Sequence, residues 1–179
     1  PYDPYASYGD SAMRGAYRSI GINRNDFCAL IQMRPGKQAD CGCLEWLAFA
    51  SNAFNVLAPF YADVEETPEY LANTTGEVST DNFYWTSRMI AAMADASYSK
   101  SLIHVERCQE QVAAKSYELL NRYDVLLEKE TDAAARKALR QEANRAVADM
   151  VKKELAGTLD KVLYELSGQM KNAYSRADA

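Results

Sequence analysis

"FYWTSRMIAAMADASY", residues 83–98, decides how the chain is divided. Three consecutive aromatic rings open a segment that then turns small, apolar and helical in spacing. Polar residues just upstream, Ser79, Thr80 and Asp81, are of the types that cap helices. Consecutive helical residues point in different directions, so Phe83, Tyr84 and Trp85 together predict a first turn surrounded by protein. The stretch stands at a change of grammar. Six of the eight glycines and all five prolines precede residue 77, and none occurs from Glu77 to Ala156. A turn-rich part, residues 1–76, is thus followed by a helical part, residues 77–179.

Upstream, "AYRSIGINR" (16–24) and "DFCALIQMR" (26–34) are strand-length runs separated by Asn25, and the turn formers Asn23, Asn25 and Asp26 predict a hairpin. Phe27, Ala29, Ile31 and Met33 would share one face of the second run, with Cys28 and Leu30 on the other. Both faces are apolar, which predicts a sheet covered on both sides. "PGKQADCG" (35–42) carries Pro-Gly turn chemistry, "CLEWLAFA" (43–50) reads as a third strand, and "FNVLAPFYADV" (54–64) as a fourth. Pro59 restricts that fourth strand to an edge or an end.

Downstream, residues 82 to about 128 predict one or two helices, with apolar positions at Val105, Cys108, Val112, Leu119, Tyr123, Leu126 and Leu127. Thr131-Asp132 offers an N-cap for a further helix whose stripe runs through Leu139, Ala143, Val147, Met150 and Leu155. Gly157 is expected to break or bend it, with Leu159, Val162, Leu163, Leu166 and Met170 continuing the stripe. The reading is a solvated amphipathic helix packed on the domain; its polar face is too mixed in sign for a membrane surface.

The chain of 179 residues is long enough for one domain with a sizeable core, and 48% apolar and 25% charged residues are ordinary for a globular protein. Net charge is −5, which argues against nucleic acid as a partner. The excess lies in the first part: residues 1–80 hold 5 Lys/Arg against 10 Asp/Glu, and residues 81–179 hold 15 of each. No apolar run reaches the roughly 18 residues of a membrane span. The compartment stays open, with the cytoplasm slightly favoured.

The search for chemistry is short. Cys28, Cys41, Cys43 and Cys108 form no CxxC, and with His104 as the single histidine no metal site and no cofactor is expected. Cys28 and Cys108 read as buried free thiols. The i,i+4 spacing of His104 and Cys108 is suggestive, but both would sit on a helix side with no helix N-terminus to activate the thiol. Pro1 heads a loop-like segment rather than a buried strand, so its amine is not expected to act as a base. No phosphate loop, nucleophile elbow or zinc-protease motif occurs.

Four stretches in order, "PYDPY" (1–5), "YRSIGINR" (17–24), "WLAFASNAFNVLAPFYADVEETPEYL" (46–71) and "STDNFYWTSRMIAAMADASY" (79–98), resemble the C-terminal part of cysteine dipeptidases. These are N-terminal-nucleophile hydrolases, a group that includes the related secernins. The resemblance covers about residues 1–125. It implies an α+β fold, part of an αββα sandwich with antiparallel strands followed by long helices. It also implies dipeptide hydrolysis by a cysteine that becomes the first residue of the mature enzyme, with its own α-amine as base and no metal. An α-amine titrates near neutrality and lies beside its own thiol, which makes the chemistry sensible. None of the four cysteines here is terminal, so the chain is expected to be a C-terminal portion, inactive alone and without a catalytic residue of its own. Its expected partners are the N-terminal part of the same protein, a dipeptide substrate and further copies of itself. The resemblance assigns no role to Asn23, Arg24 or Asp3, but residue type does: Arg24 can grip a substrate carboxylate, Asn23 can donate to an oxyanion, and Asp3 lies in the "YDPY" loop. The rival reading is a noncatalytic, secernin-like scaffold that uses its helices for partner contacts.

Overall fold

The computed structural model describes residues 25–170, together with residue 12. Three strands, β1 (Phe27–Met33), β2 (Cys43–Phe49) and β3 (Ala58–Tyr61), form an antiparallel sheet in the order β1-β2-β3. Four helices follow: α1 (Glu69–Ala72), α2 (Phe83–Ala96), α3 (Tyr98–Lys129) and α4 (Ala133–Ser167). The fold is α+β. The run 16–24, read as the first arm of a hairpin, lies outside the described residues, and residues 54–57 precede β3 rather than belonging to it.

Local chemistry accounts for the turns. Between β1 and β2 the chain reverses through Pro35-Gly36, where Gly36 has φ +93°, a backbone region closed to most side chains. A bond from Arg34 N–H to the Gly42 carbonyl (2.7 Å) closes the loop, which ends in a short 3-10 turn at Ala39–Cys41. Between β2 and β3, Ala50 takes φ +65°, and the Asn55 amide holds the bend by donating to the carbonyls of Phe49 (3.1 Å) and Ala50 (3.2 Å). Pro59 sits in β3, at an edge of the sheet, where its missing N–H costs no ladder bond.

That edge is closed by a side chain. Asn144 of α4 accepts from the Tyr61 N–H (2.8 Å) and donates to the Tyr61 carbonyl (3.0 Å), imitating a further strand. Ala58 and Phe60 share one core cluster with Phe83 and Ile90 of α2 and with Val147 and Val151 of α4. Leu44, Trp46 and Tyr61 share a second with Leu120, Tyr123 and Leu127 of α3 and Ala143 of α4. The expected two-sided cover therefore exists at β3, whereas every residue of β1 is exposed, with residues 13–24 that precede it outside the described ones. Cys28 lies on β1 and is exposed, not buried as the apolar run suggested.

The aromatic triplet divides its labour. Asn82, not Ser79–Asp81, caps α2, accepting from the Trp85 N–H (2.8 Å). Phe83 is fully buried, stacked on Tyr70 (5.9 Å between ring centres) and tilted against Phe49 (5.0 Å). Tyr84 and Trp85 are only half-buried; Trp85 donates its indole N–H to the Thr75 carbonyl (2.8 Å). A helix turns about 100° per residue, so three adjacent rings cannot all face one core. The helical part is otherwise a long antiparallel hairpin. Asp132 caps α4 by accepting from the Ala135 N–H (2.8 Å), and α4 runs through Gly157 without a break.

Candidate functional site

The residues singled out for substrate, Asn23, Arg24 and Asp3, lie outside the described residues, as does Pro1. The described part shows two other places where charged groups converge.

The first is where the β1–β2 loop meets the α3–α4 hairpin. Arg34 Nη1 donates to Asp124 (2.7 Å), its Nη2 donates to the Cys41 carbonyl, and the guanidinium lies over the Tyr61 ring (5.4 Å). The Tyr61 hydroxyl donates to the other oxygen of Asp124 (2.7 Å). Burial and then this carboxylate push the phenol far above its ordinary range, so Tyr61 stays neutral. Beside it, Arg136 grips Asp40 with two bonds (2.8 and 2.7 Å) and donates also to the carbonyls of Leu127 and Glu130. Arg140 donates to Asp40 and to the Asp63 carbonyl (3.0 Å). The Arg136 hydrogen bond holds the Asp40 carboxyl below the usual carboxylate range, against a smaller opposing effect of burial. A cavity of about 240 Å³ adjoins the cluster. Arg136 and Arg140 direct their donors at this chain's own acceptors, so the cluster ties a loop to a helical hairpin.

The second is a groove of about 720 Å³ between the 66–81 segment and α4, lined by Glu66, Glu69, Tyr70, Asp81, Asp149 and Lys152 among others. Lys152 pairs with Asp81 (3.2 Å) and sits over the Tyr70 ring (5.7 Å), while Arg145 pairs with Glu66 (2.7 Å). Burial raises the Tyr70 hydroxyl to about 12, so it cannot serve as a base near neutral pH. The groove has room for a small charged molecule and a wall of both signs. Among the described residues no cysteine, serine or histidine lines it.

Cys108 is buried between α3 and α4, with Sγ 3.8 Å from the Glu154 carbonyl, and burial pushes its thiol up. His104 faces Glu165 (3.4 Å) rather than Cys108, so the i,i+4 spacing makes no catalytic pair. Cys41 is buried and donates to the Gln38 carbonyl (3.5 Å). Among the described residues no group of three or more His, Cys, Asp or Glu is placed to hold a metal ion. No described helix is long and apolar enough to cross a membrane.

Sequence reasoning missed the Asp40–Arg136–Arg140 cluster. One signal was present: two arginines at i,i+4 spacing within the alanine-rich start of α4.

Comparison with known proteins adds what the geometry leaves open. Residues 1–111 match peptidase family C69, which is most of the chain and includes the whole sheet. The chain belongs to that family. It is 36% identical over 177 residues to a protein of Streptococcus pyogenes serotype M3 named probable dipeptidase A, covering 99% of this chain and 37% of that protein. It is 34% identical over 215 residues to a dipeptidase of Bifidobacterium longum, covering 99% of this chain and 40% of that protein. Dipeptidase A of Lactobacillus helveticus is 28% identical over 181 residues, 37% of its length. The chain thus spans little more than a third of the length of these relatives. The C69 match ends inside α3, whereas the similarity to these relatives runs on through α4.

Proposed function

We propose that this chain is the sheet-and-helix portion of a cysteine dipeptidase whose nucleophile lies outside it. The observation that carries the reading is the 36% identity across 99% of the chain to a protein named as a dipeptidase. In this reading a cysteine at the head of the mature enzyme gives its thiol proton to its own α-amine. The thiolate attacks the scissile carbonyl, the leaving amine takes up the proton, and water releases the second product from the thioester. What supports placing that cysteine elsewhere is the state of the described ones. Cys41 and Cys108 are buried, Cys43 is half-buried, and Cys28 stands on an exposed strand. The portion in hand then belongs to an αββα sandwich in which α2, α3 and α4 form a helical layer.

The test is hydrolysis of unblocked dipeptides by the full-length polypeptide that carries this chain, beside the 179-residue chain alone. The full-length protein is expected to turn over, to lose activity on thiol alkylation and to keep it with chelator. The chain alone is expected to be inactive. Thiol-blockable turnover by the chain alone overturns the placement of the nucleophile, and a full-length protein that cleaves no dipeptide overturns the function.

A further inference from the structure

We propose that strand β1 is the seat of the remaining part of a full-length C69 polypeptide, which lays an apolar layer over it. The inference rests on reading the chain as a portion of a longer dipeptidase. It begins from an imbalance within one small sheet. Every residue of β1 is exposed, and its sequence, FCALIQM, contains no charge. Phe27, Leu30, Ile31 and Met33 are 55%, 54%, 58% and 71% exposed. Alternation puts Phe27, Ile31 and Met33 on one face and Cys28 and Leu30 on the other, so neither face suits water. Among the described residues β1 pairs with β2 alone.

Strands that stay at a solvent edge are protected by charge, proline, a bulge or a cover. β3 has such protection in Pro59 and in the Asn144 clamp, whereas among the described residues β1 has none. A contiguous apolar surface of this kind marks an interface. The relatives supply the occupant: similarity covers 99% of this chain yet only 37% of the Streptococcus pyogenes protein, so in a polypeptide of that length the larger part lies outside this portion and is available to cover it. With no charge on β1 to match, the chemistry that fits is aliphatic and aromatic side chains, with strand backbone at the edge.

Cys28 is a native reporter on β1, and buried Cys108 is an internal control. Alkylation rates are measured by peptide mass spectrometry in the 179-residue chain and in the full-length polypeptide, then repeated with Ile31→Cys to sample the other face. Both β1 thiols are expected to react at least about tenfold more slowly in the full-length protein, with Cys108 slow in both. Equal rates overturn the proposal. So does protection already present in the isolated chain, which assigns the cover to residues 1–24 or, if it grows with concentration, to a second copy. A gene encoding nothing beyond these residues overturns it too. Labelling is read without substrate, so protection without dipeptide hydrolysis refutes the function and leaves the interface standing.

Discussion

Asp40→Ala removes one carboxylate and leaves two buried guanidiniums without it. Arg136 and Arg140 are 6% and 5% exposed, and both donate to Asp40. Breaking a buried charge pair from one side costs about 3–5 kcal/mol. Two features reduce the cost here. The Asp40 side chain is 27% exposed, so water reaches the vacated site. Arg136 also keeps the carbonyls of Leu127 and Glu130, and Arg140 keeps that of Asp63. The expected loss is about 2–3 kcal/mol, in line with charge-assisted bonds lost from a half-wet site. For a chain of this size that lowers Tm by roughly 5–10 °C. The sign of the pH dependence follows from the depressed carboxyl, held down first by the Arg136 hydrogen bond. A depressed folded value contributes stability above the unfolded value of about 3.9 and loses it as pH falls through the folded one. The gap between wild type and Asp40→Ala should therefore be full at neutral pH and close in acid. Asp63→Ala is the control: its carboxylate is 69% exposed and 3.4 Å from Arg140, so it should cost less than about 0.5 kcal/mol. Thermal or urea unfolding followed by circular dichroism reads both. An unchanged midpoint for Asp40→Ala, or a gap that persists in acid, refutes the reasoning.

Three further substitutions are read by the same unfolding measurement. Gly157→Ala should stabilise by about 0.5–1 kcal/mol, because the position is helical and an added Cβ meets nothing within 4 Å. Asn82→Ala should destabilise by about 1–2 kcal/mol through loss of the α2 cap. Asn144→Ala should cost about 2–3 kcal/mol, since it leaves the buried N–H and carbonyl of Tyr61 without their partner; an unchanged midpoint would mean that water replaces it.

The helices and strands were legible wherever the signal was local. Thr131-Asp132 marked the start of α4, which Asp132 caps. Of the break or bend expected at Gly157 the break does not occur, because one helix-interior glycine costs only about 1 kcal/mol, which a packed 35-residue helix absorbs. The triplet Phe83-Tyr84-Trp85 was read as uniformly buried because identity alone does not say which ring faces the core. The charged cluster was out of reach for a different reason. Asp40 and Arg136 are 96 residues apart in sequence, and neither shows its partner in its own neighbourhood. The faces of β1 were legible as apolar, but what covers them was not, because a strand sequence records what it needs against it and not which segment supplies it.

The reach of the family match can be set beside what holds the sheet. Similarity to C69 ends at residue 111, as though the rest of the chain were an appendage. The hydrogen bonds say otherwise. Asp40 and Tyr61 lie inside the matched region, and their partners Arg136, Arg140 and Asn144 all come from α4, beyond it. Tyr61 also depends on Asp124, in the second half of α3. Cut at residue 111, the sheet would lose the clamp on its β3 edge and the loop before β2 would lose both arginines. The α3–α4 hairpin therefore completes the matched region, and one chain treats the two edges of its sheet oppositely. It closes β3 with a buried asparagine on a 35-residue helix, while among the described residues β1 keeps an exposed apolar strand.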